Sequence, residues 1–337
     1  MCYRSLAIMG TLVVVAAAAS AQAPAKTPAK TWTASRTADG QPDLQGTWTN
    51  ATLTPLQRPP EFAGKEFFTE EEQAAFEKKR LQQNDVESVD DGKRGPADLA
   101  RRAYNGAWFD RGSHGVNTRR TSLVVEPSDG RIPPMTPEGK RKFDDAHANF
   151  AAHPADGPEN RPLSERCILF PNAGPPMLPE PYNNNYQIVQ APGFVTIMAE
   201  MVHDVRVVPL DGRPHLPSNI RQWKGDSRGH WEGNTLVIDT TNLSYNDKSR
   251  FGVAYDGFTD QNLHVTERFT RTGPGTIIYR ATVDDSTIYT KPWTLETTLS
   301  KREEPIYEYA CHEGNYGMFG ILSGERAQEK TSAAKAK

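Results

Sequence analysis

The chain has 337 residues, 39 Lys and Arg against 42 Asp and Glu, and a net charge of −3. Neither sign gathers into a tract, which argues against nucleic acid and against an anionic membrane surface as partners. Beyond the first two dozen residues no apolar run approaches bilayer length, so the mature chain is expected not to span a membrane.

Arg4, the apolar run Leu6–Ala19 and the small-x-small triplet Ala21-Gln22-Ala23 make residues 1–23 a secretory signal peptide. The alternative is an uncleaved N-terminal anchor. Cys2 precedes the apolar run, so it cannot carry a lipid after cleavage. The expected location is periplasmic or secreted. There, Cys167 and Cys311 read as one disulfide, with two separate buried thiols as the alternative. Residues 24–42, rich in Ala, Pro, Lys and Thr, are expected to be a flexible tether.

A helix- and loop-rich region follows over residues 43–182. Gly46-Thr47-Trp48 has the Gly-x-Trp form that opens lipocalin-like barrels, and equally that of an ordinary aromatic core strand. Thr69-Glu70-Glu71-Glu72 is a capping box that predicts a helix to about Gln83. Residues 84–120 are polar, rich in Gly and Arg, and expected to be surface loop. Leu123–Val125 predicts a short strand, and Thr136-Pro137 starts a second helix to about His153. Pro-rich loops are expected over 154–182.

Residues 183–326 read as an antiparallel β body with a terminal helix. Strands are expected at Tyr186–Gln190, Phe194–Met201 running on to Pro209, Leu236–Thr240, Leu263–Thr270, Thr276–Val283, Trp293–Ser300 and Ile306–Cys311, joined by turn chemistry. A helix is expected from Asn315, and 327–337 as a disordered tail. The fold class is α+β, mainly β: an antiparallel lipocalin-like barrel or a sandwich behind a helical and loop-rich N-terminal region.

In a strand, Asp204 and Arg206 share one face and can pair, while His203 lies with the valines. Glu267 lies on the apolar face of its strand with Val265 and Phe269, where burial would raise its pKa; His264 lies on the other face. Between Trp223 and Trp231 a glycine-flanked loop carries Asp226, Ser227, Arg228 and His230, the composition of a pocket mouth. Each group also has a plain structural reading: a core histidine, an edge strand, a loop in which Asp226 caps backbone amides. The decapeptide Tyr307-Glu308-Tyr309-Ala310-Cys311-His312-Glu313-Gly314-Asn315-Tyr316 packs polar groups at the end of an expected strand. If Cys311 is oxidised, His312 and Glu313 remain as acid–base candidates. A metal held by His203, His264 and His312 is the less favoured option, because no segment has metal-ligand spacing. Signatures for nucleotide phosphates, dinucleotides or a nucleophilic serine are missing, which disfavours those chemistries.

The stretches 182–189, 203–206, 225–233, 267–271 and 307–316 resemble those of a family of exported bacterial proteins. The resemblance covers about the last half of the chain. It implies secretion and a β-rich body, and no particular reaction. The expected functional unit is an apolar pocket lined by Trp223, Trp231, Tyr307 and Tyr309, with His203, Asp204, Arg206, His264, Glu267, His312 and Glu313 at a polar end. The first expectation for it is cofactor-independent acid–base chemistry of a lyase, isomerase or hydrolase on a small apolar or aromatic compound. A carrier for such a ligand and a structural partner protein are the alternatives.

Overall fold

Alternation of inward apolar and outward polar residues builds an antiparallel sheet in the computed structural model, which describes residues 32–84, 109–244 and 261–335. Met1–Trp32 and Thr33–Lys337 group as separate units, and the fold below is that of the second. The expected signal peptide and much of the 84–120 loop lie outside the described residues, as do most of the tether and the last two residues of the tail. No described helix is long and apolar enough to cross a membrane.

The strands are β1 (Gly46–Thr49), β2 (Val124–Glu126), β3 (Asn185–Ala191), β4 (Phe194–Ala199), β5 (Val205–Pro209), β6 (Asp226–Glu232), β7 (Thr235–Thr241), β8 (His264–Gly273), β9 (Thr276–Asp284) and β10 (Trp293–Arg302). Their order is β5-β4-β3-β1-β10-β9-β8-β7-β6, with β2 paired to β10 off this path. The helices are α1 (Glu70–Asn84), α2 (Pro137–Ala152) and α3 (Tyr316–Lys335). The Thr69 box forms as expected, with Glu72 Oε2 accepting from Thr69 N at 2.8 Å and Thr69 Oγ1 from Glu72 N at 3.2 Å. Thr136 caps α2 by accepting from Gly139 N.

The sheet is strongly rolled. Arg206 on β5 and Glu267 on β8 are ion-paired with Arg206 Nη2 and Glu267 Oε1 2.9 Å apart. Six strand steps separate them in the order, which in a flat sheet would span about 29 Å. The two end strands, β5 and β6, share no ladder, so hydrogen bonds do not close the roll. They meet through side chains. A Cβ at Gly229 on β6 would lie 2.6 Å from Leu210 Cδ2 and 2.9 Å from Val208 Cγ1. Gly229→Ala is therefore expected to destabilise by about 1–3 kcal/mol, read as a lower urea midpoint at unchanged m-value. An unchanged midpoint would mean that this contact is not tight.

The inner face carries Tyr186, Ile188, Val195, Ile197, Leu236 and Val265 among its buried residues. Trp48 is fully buried, donates from Nε1 to Leu44 O at 2.9 Å and has the Arg271 guanidinium 5.6 Å from its ring centroid. Beside these residues the chain fills its own interior. Every residue from Asn172 to Leu178 is buried. Met177 N donates to the Tyr279 hydroxyl at 2.8 Å, and Met177 O accepts from Asn50 Nδ2 at 3.2 Å.

Four expectations are corrected. Met201–Pro209 is not one strand: Met201–His203 forms a 3₁₀ turn in which Val202 and His203 have φ of 53° and 50°, and β5 starts only at Val205. The stretch between Trp223 and Trp231 is largely strand β6, paired residue for residue with β7. Ile306–Cys311 is not a strand, because β10 is already paired by β9 on one side and by β1 and β2 on the other. Its amides instead bond side chains: Tyr307 N donates to Glu200 Oε2 at 3.2 Å and Tyr309 N to His203 Nδ1 at 3.0 Å. Finally, α3 runs through Lys335, past the expected start of the tail.

Candidate functional site

Cys167 and Cys311 are disulfide-bonded, tying the segment before the buried stretch to the strap at 306–315. Asn315 Nδ2 completes the tie by donating to Glu165 O at 2.8 Å. The polar density of the decapeptide is thus spent largely on fixing the strap. His312 and Glu313 point to solvent, Tyr307 is 61% exposed and Tyr309 is half-buried. His203 accepts from the strap rather than facing Glu267. These residues do not line one cavity with Trp223, which is exposed, and Trp231, which packs against the core. Among the described residues, no three His, Cys, Asp or Glu side chains are grouped as a metal would need, so His203, His264 and His312 do not converge.

Asp204 and Arg206 do not pair with each other. The 3₁₀ turn takes Asp204 out of strand register, and its Oδ1 binds Lys224 Nζ. Burial raises the Asp204 pKa against the pull of Lys224. Arg206 grips Glu267 with both terminal nitrogens, and Tyr279 donates to Glu267 Oε1 at 2.8 Å. Burial holds the Tyr279 phenol well above its usual range, which keeps it a donor. Glu267 is fully buried, which decides between the buried carboxylate and the edge strand that its sequence left open. The buried Met177 amide closes the network from the other side, so these groups form a sealed core network.

A second cluster lies on the outer face of β6, β7 and β8. Alternation places Asp226 and Arg228 of β6, Asp239 of β7 and His264 of β8 outward, with Arg228 opposite Asp239 in the ladder. The loop between β5 and β6 lays His215 over them. His215 Nδ1 is 2.9 Å from Asp226 Oδ2, and His215 Nε2 is 2.8 Å from Asp239 Oδ1. The other oxygen of Asp239 binds His264 Nε2. Asp226 is fixed further by Arg228 Nη1 at 2.6 Å and Leu216 N at 2.9 Å. The result is an unbroken chain, Asp226–His215–Asp239–His264. Side-chain exposure rises along it from 5% at Asp226 through 27% and 35% to 40% at His264.

The electrostatics follow from the contacts. Burial alone would raise Asp239, but the hydrogen bonds from His264 and His215 outweigh it and hold the carboxyl low. The bond to Asp239 in turn raises His264 above the usual imidazole value, against partial burial. Neutral imidazole offers one N–H donor, whereas His215 touches carboxylates with both nitrogens. Of the linked residues, Asp226 and His264 stand out in the sequence; His215 and Asp239 do not. The signals for the latter two are a carboxylate inside the apolar run Leu236-Val237-Ile238-Asp239 and a histidine between prolines at Pro214 and Pro217. Away from this cluster, burial pushes the Glu180 carboxyl up to about 7, and its Oε1 has no partner.

No family model matches the chain, and neither a curated protein nor a solved structure is similar to it.

Proposed function

We propose that the protein is an exported acid–base catalyst acting on small cyclic or aromatic compounds, with its chemistry at the Asp226–His215–Asp239–His264 chain. One observation carries this reading: Asp239 bridges two imidazoles, one of which is anchored on a second carboxylate while the other reaches solvent. A bridged carboxylate favours the charged, proton-donating form of His264, and the chain behind it can take or return the proton. No cofactor is needed for that work. The Cys167–Cys311 disulfide supports an oxidising compartment. The rolled sheet, the buried Gly-x-Trp tryptophan and the contact of β5 with β6 support a lipocalin-like barrel as its frame. The stretch Asn172–Leu178, packed into the interior, weighs against a carrier with its ligand inside.

The test is proton exchange at carbon. Small cyclic ketones are incubated with the protein in D₂O and followed by NMR, and lactones are followed for ring opening. Turnover of at least one compound is expected, reduced about 10²-fold by Asp239→Asn and by His264→Gln. No turnover with any compound, or turnover untouched by both substitutions, would sink the reading.

The same chain sets a pH dependence of stability. His264 is raised, so its contribution is full below the ordinary imidazole pKa and is lost as pH rises through the raised value. Asp239 is lowered, so its contribution is full above the ordinary Asp value and is lost as pH falls through the depressed one. Glu180, raised from the ordinary Glu value to about 7, loses its contribution across that interval as pH rises. Urea midpoints are therefore expected to be highest between the ordinary Asp and Glu values and to decline as pH rises from there. Asp239→Asn should make the acid side shallower, other lowered carboxylates such as Asp211 keeping part of that slope, and should remove the His264 share of the decline while leaving the Glu180 share.

A further inference from the structure

On the outer face of β10 the side chains of Glu296, Thr298, Ser300 and Arg302 alternate outward in one row. That row spans about 20 Å. Two hollows of about 530 and 780 Å³ lie along it. The first is floored by Thr298, Ser300 and Arg302 with Thr49 of β1, the second is bounded by Glu296 and Phe67, and Asn117 borders both. The far wall is the segment 110–120. At Gly112, with φ of 73°, a Cβ would lie 2.8 Å from the Ala51 carbonyl, so this close approach requires glycine.

The chemistry of the groove is uneven along its length in an informative way. Glu296 accepts from Arg120 Nε at 2.9 Å, and the Arg120 guanidinium lies 4.7 Å over the Phe67 ring, which is itself 47% exposed. Arg302 Nη1 donates to Asn185 Oδ1 at 3.1 Å at the other end. Between the two charged ends the polar lining is mainly hydroxyl and amide, from Thr49, Thr52, Ser113, Asn117, Thr298 and Ser300, with Asp110 beside Arg302 and His114 on the far wall. Thr298 is 6% exposed and its hydroxyl is buried without a partner, although the residue lines the hollow. A buried hydroxyl of this kind costs stability unless something bonds it.

We propose that this groove binds an extended neutral polyhydroxylated ligand, an oligosaccharide. Balanced acceptors and donors match a ligand whose every group is both. The exposed Phe67 ring offers a flat apolar face for the C–H side of a sugar ring. The length of the row suits several rings in line. An extended peptide would instead want an unpaired strand edge or deep apolar pockets. The floor here is the face of a paired strand, and Phe67, Ala51 and Val116 are its apolar lining. This site is separate from the histidine–aspartate chain, so each can fail alone.

The test is calorimetric titration of the full chain with cello-, malto-, xylo- and chitohexaose, and with a polar decapeptide as the rival probe. Saturable binding of at least one hexasaccharide is expected. Phe67→Ala should weaken it about tenfold, and Thr298→Val about fivefold. The Thr298 hydroxyl bonds nothing in the protein, so Thr298→Val is expected to leave the melting temperature unchanged or raised. That makes it a clean variant should Phe67→Ala disturb α1. No binding of any hexasaccharide up to about 10 mM, binding that neither substitution weakens, or binding of the decapeptide alone would each overturn the proposal.

Discussion

Glu267→Ala is expected to destabilise the protein by about 3–5 kcal/mol, as is Arg206→Ala. Each leaves its partner as an uncompensated charge where water does not reach, for Glu267 is 0% and Arg206 5% exposed. The Arg206 Nε is already buried without a partner, so the guanidinium has little reserve once the carboxylate is gone. Tyr279 would lose its acceptor in Glu267→Ala but still accept from Met177 N. Replacing both, as Arg206→Met with Glu267→Leu, should cost far less than either single change and stay within about 1–2 kcal/mol of the parent. The difference between single and double variants, read from urea midpoints in a double-mutant cycle, isolates the pair. If the single variants cost under 1 kcal/mol, water reaches the pair and the network is not sealed. If the double variant is as poor as the singles, the pair's shape rather than its charge holds the roll of β5 toward β8.

Cys167→Ser with Cys311→Ser is expected to cost up to about 5 kcal/mol, since the bridged residues are 144 apart in sequence and a long loop loses much entropy on closure. The structure adds where the loss falls. The strap is held otherwise by bonds to Glu200 and His203 and by the Asn315 amide. The β8–β9 ladder touches none of these. Amide exchange is expected to quicken at Tyr307 and Tyr309 in the double-serine variant while the β8 and β9 amides stay protected under native conditions. Uniform loss of protection would show instead that the strap and the sheet unfold as one unit.

The elements were legible where local chemistry decides them. The capping box at Thr69 and the N-cap at Thr136 need only their own next few residues. The strands β8, β9 and β10 are set by alternation, and their turns by Gly273-Pro274-Gly275 and similar sequences. Strand Ile306–Cys311 was misread because alternation says nothing about whether a partner edge is free. Likewise, residues 226–232 looked like a loop because Gly, Asp and Ser favour turns. Pairing with β7 overrode that preference, and the glycine is there for the Val208 and Leu210 side chains that lie on it.

The candidate site divides in the same way. Glu267 was legible as a carboxylate on an apolar strand face because its neighbours two residues either side are Val265 and Phe269, while an edge strand remained the alternative. Its partner was not, because Arg206 is paired across the roll of the sheet and not along its own strand. His215 could not be connected to Asp239 from sequence at all, since the contact depends on how a loop folds back over a face.

What the sequence by itself determined, then, is most of the strands, two capped helices and the apolar face on which Glu267 lies, each a consequence of side chains within a few positions of one another. Tertiary structure decided which polar groups meet. It turned the Tyr307–Asn315 motif into a strap, sealed Arg206 against Glu267 and linked His215, Asp239 and His264 on the outside. The physical reason is that strand order and roll bring together residues whose separation along the chain carries no information about their separation in space.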